Sequence, residues 1–387
     1  MAFDGGYSMT SASVGAEPDL AFYIPNLTVG GAEQVTVNIV NGLAGRGYDV
    51  ELVVSHPGGE LRTAVADSVA VIELADVRIP GIGIGAHLHK LAQYLGDTEP
   101  DILISEKTDA NILCLGAKRV AESTTTVVPT EHIAFGMMPD ESLKSRGVRK
   151  VAAQLYPAAN DLIAVSDGVA DSLGEKTAVD RGDISVLHNP VEITTVQDRA
   201  HEPVSHKWIE DTDTDVLLFV GRHHPQKDLK TWLRSFKRVN DTLPDTRAVI
   251  AGRGSETETV RELTVELGLT EVTSIPGYVD NPYRFMNQAS LFLLSSQFEG
   301  LPTVLIEAMA CGCPIVSTDC PSGPREILAD GEYGRLTPVG DVDSIATAAL
   351  EMLENPTPAA VLQDRAADFA PQTVLNDYEQ FIETRLG

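Results

Sequence analysis

The sequence predicts an α/β protein made of two doubly wound parallel-sheet domains, and three observations carry that prediction. Short apolar runs alternate with stretches of helical periodicity along the chain, as successive βα units require. The runs are apolar throughout rather than at every second residue, which marks strands covered on both faces. A polar, acidic stretch at 194–215 divides the series into two comparable halves. With 387 residues, 43% hydrophobic and 22% charged, the composition is globular and the length suits two to three domains.

Residues 1–17 are rich in Gly, Ser and Ala without periodicity and read as a disordered leader. The first domain is expected over 18–193. It opens with a strand at 20–24, a loop at 25–31 and a helix from Ala32 to about Ala44, closed by Gly45 and Gly47. Gly30 and Gly31 at the helix start let a backbone approach a ligand closely, although such a pair by itself is only a turn. It is not the G-x-G-x-x-G fingerprint of dinucleotide binders. Further strands are expected at 49–54, 69–74, 101–105, 126–128 and 161–166. Residues 79–85 are Gly-rich and apolar, and read as a mobile loop near an acceptor. Residues 143–156 gather Lys144, Arg146, Arg149 and Lys150 among Val148, Val151, Leu155 and Tyr156. That composition suits an amphipathic helix docked on anionic lipid, or equally a solvated helix with scattered charges. Ser166 suits a helix N-cap.

Residues 194–215 read as a linker, and the second domain is expected over 216–369. Its first strand, 216–220, leads into Gly221-Arg222-His223-His224-Pro225-Gln226-Lys227-Asp228. A strand at 247–251 leads to Gly252-x-Gly254, a turn close to a phosphate or a base, and one at 272–275 precedes Pro276-Gly277-Tyr278-Val279. A helix begins within 321–326, and a last strand lies in 331–338. A terminal helix at 378–385 lies within a segment, 370–387, expected to return to the first domain.

The densest chemistry lies at 291–328. A buried strand at 291–295 is followed by a loop at 297–301, then by Pro302, suited to the first helical position, and a helix at 303–310. Gly312 and Pro314 stop the helix before a second strand at 314–318. Such a loop lies outside the carboxyl ends of the strands, where open parallel sheets bind ligands. Glu299 and Glu307 flank the helix start. On a continuous helix their spacing is about 12 Å of rise with about 80° of rotation, too far for a close acid/base pair on one bond. They suit hydroxyls at the two ends of a long ligand; the alternative is two solvated acids. Between them the backbone N–H groups of Thr303 and Val304 suit phosphate. A ligand with hydroxyls at both ends and phosphate between is a nucleotide sugar. Arg222 and Lys227, fixed at another strand's carboxyl end, suit neutralisation of its diphosphate.

The segment FEGLPTVLIEAMACGCPIVSTD, with its E-x7-E spacing, resembles the donor-site signature of retaining glycosyltransferases of family 4. GGAEQVTVNIVNGLAGRGYDV is similar to that family's opening βαβ unit, and the Gly221–Asp228 segment to its G-R…K-D loop, with His223 where a small apolar residue is common. The resemblance covers nearly everything from residue 20 onward. It implies the GT-B fold, two Rossmann-like domains facing across a cleft, the acceptor mainly on the first and the donor on the second. It implies retaining transfer of a hexosyl group from a nucleoside diphosphate sugar, a UDP-sugar foremost, without a metal or other cofactor. The acceptor is then a glycan, including one carried on a polyprenyl or dolichyl lipid. On that resemblance Arg222 and Lys227 stabilise the leaving diphosphate, Glu299 binds sugar hydroxyls and Glu307 the ribose. Gly30, Gly31, Gly300, Leu301, Thr303 and Val304 approach the donor phosphates, Gly252 and Gly254 the phosphates or the base, and Tyr278 and Val279 the base. His132, on the loop after the strand at 126–128, falls where the family carries a His near the sugar's reacting end. Sugar-nucleotide 2-epimerases share the architecture, and a non-catalytic nucleotide-sugar sensor is the other reading.

The formal net charge of −27 disfavours nucleic-acid partners. The four cysteines, Cys114, Cys311, Cys313 and Cys320, have neither disulfide-framework nor zinc spacing and read as small buried thiols. No apolar run approaches a membrane span, and no basic stretch precedes an apolar core at the start. A cytoplasmic protein, peripheral on the inner face of the cell membrane through 143–156, is the corresponding expectation. Acids are spread along the chain and Lys is sparse, a surface resembling those of proteins from salt-loving microbes. The unfolding midpoint should therefore fall when molar salt is diluted to millimolar, and an unchanged midpoint in a thermal scan at the two concentrations would count against this reading.

Overall fold

The computed structural model of the chain describes residues 8–10, 20–74, 83–136, 143–159, 161–210 and 214–386. It divides into two compact units, Met1–Pro190 with Pro371–Gly387, and Val191–Ala370. Each is a Rossmann-like α/β unit, the architecture predicted from sequence.

The first unit runs β1 (Ser8–Thr10), β2 (Leu20–Ile24), α1 (Gly31–Gly45), β3 (Val50–Val54), β4 (Ala70–Glu73) and α2 (Gly83–Thr98). It continues with β5 (Ile102–Glu106), α3 (Thr108–Ala121), β6 (Thr126–Glu131), α4 (Leu143–Leu155), β7 (Leu162–Ala164), α5 (Asp167–Lys176) and β8 (Ile184–Val186). The sheet order is β1-β4-β3-β2-β5-β6-β7-β8, parallel except for β1, which pairs antiparallel with β4. β2, β3 and β5 are buried along their whole length, which is why their sequences do not alternate. From β2 the order runs one way to β3 and β4 and the other way to β5 and β6. The carboxyl ends of β2 and β5 are therefore a topological switch point.

The second unit runs α6 (Ile193–Ala200), β9 (Val216–Val220), α7 (Leu229–Thr242), β10 (Arg247–Ala251), α8 (Thr257–Glu266), β11 (Thr273–Gly277) and α9 (Tyr283–Met286). It continues with β12 (Leu291–Leu294), α10 (Thr303–Ala310), β13 (Ile315–Thr318), α11 (Pro324–Ile327), β14 (Arg335–Thr337), α12 (Val342–Glu354) and α13 (Ala359–Ala366). All six strands are parallel in the order β11-β10-β9-β12-β13-β14, with the switch point at β9 and β12. Trp232 on α7 anchors this core: it is wholly buried, stacks at a tilt near Phe236, and its Nε1–H donates to the Leu293 carbonyl at 2.9 Å. The last helix, α14 (Pro371–Leu386), returns to the first unit. Leu375, Tyr378, Phe381 and Ile382 join that unit's core. Arg46 pairs with Glu379 and donates to Asn376 and the Gln372 carbonyl, and Arg385 pairs with Asp161.

Several expectations are corrected. Residues 8–10, read as part of a disordered leader, pair along the free edge of β4, where an unpaired edge has ladder groups to satisfy; the rest of 1–19 lies outside the described residues. The expected linker 194–215 starts as α6, whose Val196 and Ala200 are buried, and Ile209 is buried too. It belongs to the second unit; its acidic composition hid a short amphipathic pattern. The chain passes between units at Pro190/Val191 and Ala370/Pro371 instead. The mobile loop expected at 79–85 lies outside the described residues through 82, and from Gly83 onward the chain is α2. β6 extends past the expected 126–128 to Glu131 in spite of Pro129, because β7 pairs with it only at Thr130 and Glu131. The four cysteines are unpaired and buried. Truncating Trp232 to Ala should destabilise the protein by about 3–5 kcal/mol, as loss of a buried aromatic does; urea unfolding followed by circular dichroism measures it.

Candidate functional site

In the second unit the parallel sheet gathers the loops after β9, β10, β11 and β12 at one edge. At its switch point the loop 221–228 from β9 lies beside the loop 295–302 from β12. Gln297 N–H donates to the Gln226 carbonyl at 2.8 Å, and Ser295 Oγ donates to the carbonyls of Lys227 and Asp228 at 2.7 and 3.0 Å. Lys227 closes a tight turn over Pro225–Lys227. Asp228, in the left-handed region at φ 45°, caps α7 by accepting from Thr231 N–H and Oγ1 at 3.2 and 2.8 Å. In the Lys227-Asp228 pair one residue thus starts a helix and the other is turned into the site.

Lys227 Nζ forms an ion pair of 2.5 Å with Glu299, and the two side chains are 15% and 7% exposed. Ser296 Oγ donates to the same carboxylate oxygen at 2.5 Å, and Gln226 Nε2 donates to the other at 3.1 Å. The structure thus joins Lys227 and Glu299 in one ion pair, a contact the sequence did not reveal. A carboxylate this buried needs donors, and the neighbouring cation supplies the strongest one. Three of its roughly four acceptor sites are taken, which leaves one for an incoming group. Arg222 differs, being exposed and bonded to no described residue.

Glu307 lies one turn into α10, half-buried, with no ion pair to a described residue. Burial pushes its carboxyl up from 4.5 to about 7. Pro302 is the N-cap of α10 rather than its first helical residue, and Thr303 and Val304 form the first turn, half-buried. Gly300 and Leu301 are buried; a Cβ on Gly323, which has φ 86°, would meet the Gly300 carbonyl at 2.6 Å.

Gly252 and Gly254 have a packing reason of their own. A Cβ on Gly252 would lie 1.8 Å from the Gly221 carbonyl oxygen, and one on Gly254 would lie 2.3 Å from that of His223. The loops after β9 and β10 stack backbone on backbone, with His223 N–H donating to the Arg253 carbonyl at 3.1 Å. The His223 ring is wholly buried beneath them and meets Thr257 Oγ1 at 3.1 Å. Burial and Arg261 hold its pKa below the ordinary histidine value, so it is neutral at pH 7. After β11, Tyr278 is 69% exposed with the Arg253 guanidinium 5.5 Å from its ring centroid, and Val279 is half-buried.

In the first unit, Gly30 and Gly31 start α1 at the switch point. Nothing lies within 4 Å of a Cβ on Gly31, whereas one on Gly30 would meet the Glu33 carboxylate. Glu33, 6% exposed, pairs with Lys107, which follows β5 at φ 84° in a region rarely used by side-chain-bearing residues. His132 follows β6 at the same carboxyl edge, and its Nε2 is hydrogen-bonded to Glu106. Of the apolar residues at 143–156, Tyr156 is wholly buried, Val148 and Leu155 are half-buried, and Val151 alone of those four is exposed.

The site reading from sequence missed Gln226, Ser296, Glu33, Lys107 and Glu106. Glu106 ends β5, Lys107 follows it, Glu33 lies in the first turn of α1, and Gln226 and Ser296 lie in the loops after β9 and β12; that position at the carboxyl edges was the available signal. Among the described residues no helix is long and apolar enough to cross a membrane.

Residues 202–369 match the family profile of glycosyl transferases group 1, and 29–195 that of glycosyltransferase family 4. A Campylobacter jejuni protein named N-acetylgalactosamine-N,N'-diacetylbacillosaminyl-diphospho-undecaprenol 4-alpha-N-acetylgalactosaminyltransferase is 27% identical over 345 residues, covering 87% of this chain and 90% of its own. The lipopolysaccharide 1,6-galactosyltransferase of Salmonella typhimurium is 29% identical over 278 residues, 70% of each chain. Among solved structures, the outer core galactosyltransferase WaaB in its apo form superposes with a TM-score of 0.74 at 23% identity, over 95% of this chain and 99% of that one. Anabaena HepE in complex with UDP gives 0.76 at 19% identity, over 95% and 100%; these two show the fold.

Because Glu307 is neutral in the folded state up to about pH 7 but ionises near 4.5 when unfolded, the folded state holds the extra proton in between. Stability from this group is full below 4.5 and is lost as pH rises through 7. Glu307→Gln should remove that loss, seen as a flatter plot of unfolding free energy between pH 5 and 8.

Proposed function

The chain belongs to glycosyltransferase family 4, the group 1 glycosyl transferases, and on that footing we propose a retaining hexosyltransferase that draws on a nucleoside diphosphate sugar, a UDP-sugar foremost. The acceptor proposed is a glycan, in particular one linked through diphosphate to a polyprenyl or dolichyl lipid. The name of the Campylobacter relative, which specifies a diphospho-undecaprenol acceptor, supports that choice. UDP bound to HepE supports the choice of nucleotide.

The observation that carries the reading is an exposed Arg222, bonded to no described residue, on the same loop as Lys227 of the buried Lys227–Glu299 pair at the carboxyl edge of β9 and β12. As the bond from the anomeric carbon to the phosphate oxygen breaks, negative charge gathers on the diphosphate. Arg222 and Lys227 meet that charge, so their contacts strengthen toward the transition state. They supply the neutralisation that a metal supplies elsewhere, and none is required in this proposal. The acceptor hydroxyl attacks on the face the leaving group departs from, and its proton passes to the leaving phosphate oxygen. Glu299, held by Lys227, Ser296 and Gln226, offers its remaining acceptor site to a sugar hydroxyl. Glu307 takes the ribose hydroxyls. Attachment to an anionic membrane surface rests on the charges of α4 rather than on an apolar face.

The two cations should separate on mutation. Arg222→Ala should lose about 10²–10³ in turnover with an unchanged unfolding midpoint, since no described residue is bonded to it. Lys227→Ala should lose turnover by a similar factor and also stability, of the order of 3–5 kcal/mol, because Glu299 is left buried without its cation. The assay is UDP release from UDP-sugars with a lipid-linked glycan acceptor in high salt. Near-normal turnover in both variants, or epimerised sugar formed from donor alone, would overturn the proposal.

A further inference from the structure

We propose that Glu106 is a positioning residue that fixes the imidazole proton of His132 on Nε2 and so leaves Nδ1 as the atom that accepts a hydrogen bond from a substrate hydroxyl. This rests on the transferase reading only for the class of that hydroxyl, one borne by a sugar substrate.

β5 and β6 are neighbouring parallel strands with Glu106 in register with Thr130, so Glu106 and His132 emerge at one carboxyl edge. Glu106 is wholly buried. One of its oxygens is hydrogen-bonded to His132 Nε2, and the other, also buried, has no hydrogen-bond partner among the described residues. Its neighbour Glu131 is nearly as buried but accepts from Tyr156, from Thr108 at 3.0 Å and from Asn111 at 3.3 Å. Glu131 is thus satisfied by the fold, with a pKa that burial raises against those bonds. Glu106 has no such support. Lys107, next in the chain, is committed to Glu33. Tyr378 of α14, whose pKa is raised by burial and then by the Glu106 charge, gives Glu106 no hydrogen bond. A buried carboxylate with a single partner and an orphaned oxygen is poorly explained as a stabilising device. It is explained if the partner needs it.

In the proposed arrangement Glu106 is the acceptor, and Nε2 is therefore the donor. A neutral His132 then carries its proton on Nε2 and a lone pair on Nδ1. The His132 side chain is 14% exposed, and Nδ1 is bonded to no described residue. That atom, at the edge where the strands end, is the one a ligand can reach.

The test begins with the unmutated protein, uniformly ¹⁵N-labelled, ligand-free, at pH 8 in high salt. Long-range ¹H–¹⁵N correlation of the ring, assigned by loss of the signal in His132→Ala, should show the Nε2–H tautomer. The Nδ1–H tautomer would overturn the proposal, since Glu106 would then be the protonated partner. Glu106→Gln should lose the single-tautomer signature. Its turnover should fall about 10–100-fold at unchanged donor KM, and it should cost nothing further in the His132→Ala background. An equal loss in that background would overturn the proposal. If Glu106→Gln fails to fold, the tautomer in the unmutated protein decides alone. A protein that transfers no sugar at all would defeat the transferase reading, and the tautomer would still judge this one.

Discussion

The ion pair between Lys227 and Glu299 is the contact on which the second unit's carboxyl edge depends. It joins loops from β9 and β12, adjacent in the sheet although 72 positions apart in sequence. Neither charge could stay buried alone, and each is buried because the other is there. Gln226 and Ser296 complete the carboxylate's shell, while Ser295 and Gln297 tie the same two loops through their backbones. The start of α7 hangs from one loop through Asp228, and the start of α10 from the other through Pro302. Fixing the pair therefore fixes two helix starts and the ledge between them. Arg222, outside this arrangement, keeps its charge available.

The first unit meets the same geometric problem in the same way. Its switch point lies between β2 and β5, and again a Lys and a buried Glu from the two flanking segments pair there, Lys107 with Glu33. The order of the residues is reversed: the acid sits on the helix after the first strand and the base follows the partner strand. No sequence repeat relates the two halves. The likeness follows from sheet topology, which at one place in each sheet turns successive helices to opposite faces and leaves an opening that two strands share.

The fold was legible because continuous apolar strands and helix stops are local signals. Residues 20–24, 216–220 and 247–251 are such apolar runs, and their strands lie at those bounds. Residues 194–200 were misread as linker because α6, eight residues with three buried side chains, shows too little periodicity against an acidic background. β1 was invisible for another reason: three residues at a sheet edge are placed by their partner strand rather than by their own composition. In the site, residue types and loop positions were readable, and Arg222, Lys227 and Glu299 do lie at one edge of one sheet. What sequence could not supply was pairing. That Lys227 holds Glu299, and that Glu106 holds His132, depends on which strands become neighbours.

The backbone stacking at Gly252 and Gly254 has a consequence for how function is mapped in this protein. A methyl group at Gly252 would drive the β10 loop off the Gly221 carbonyl and so displace Arg222, the next residue along. An alanine scan scored by activity would then rank Gly252 among the most important positions whether or not a substrate ever touches it. Loss of function there reports the seating of a neighbour, and a map drawn from activity alone would place the ligand's footprint one loop too wide.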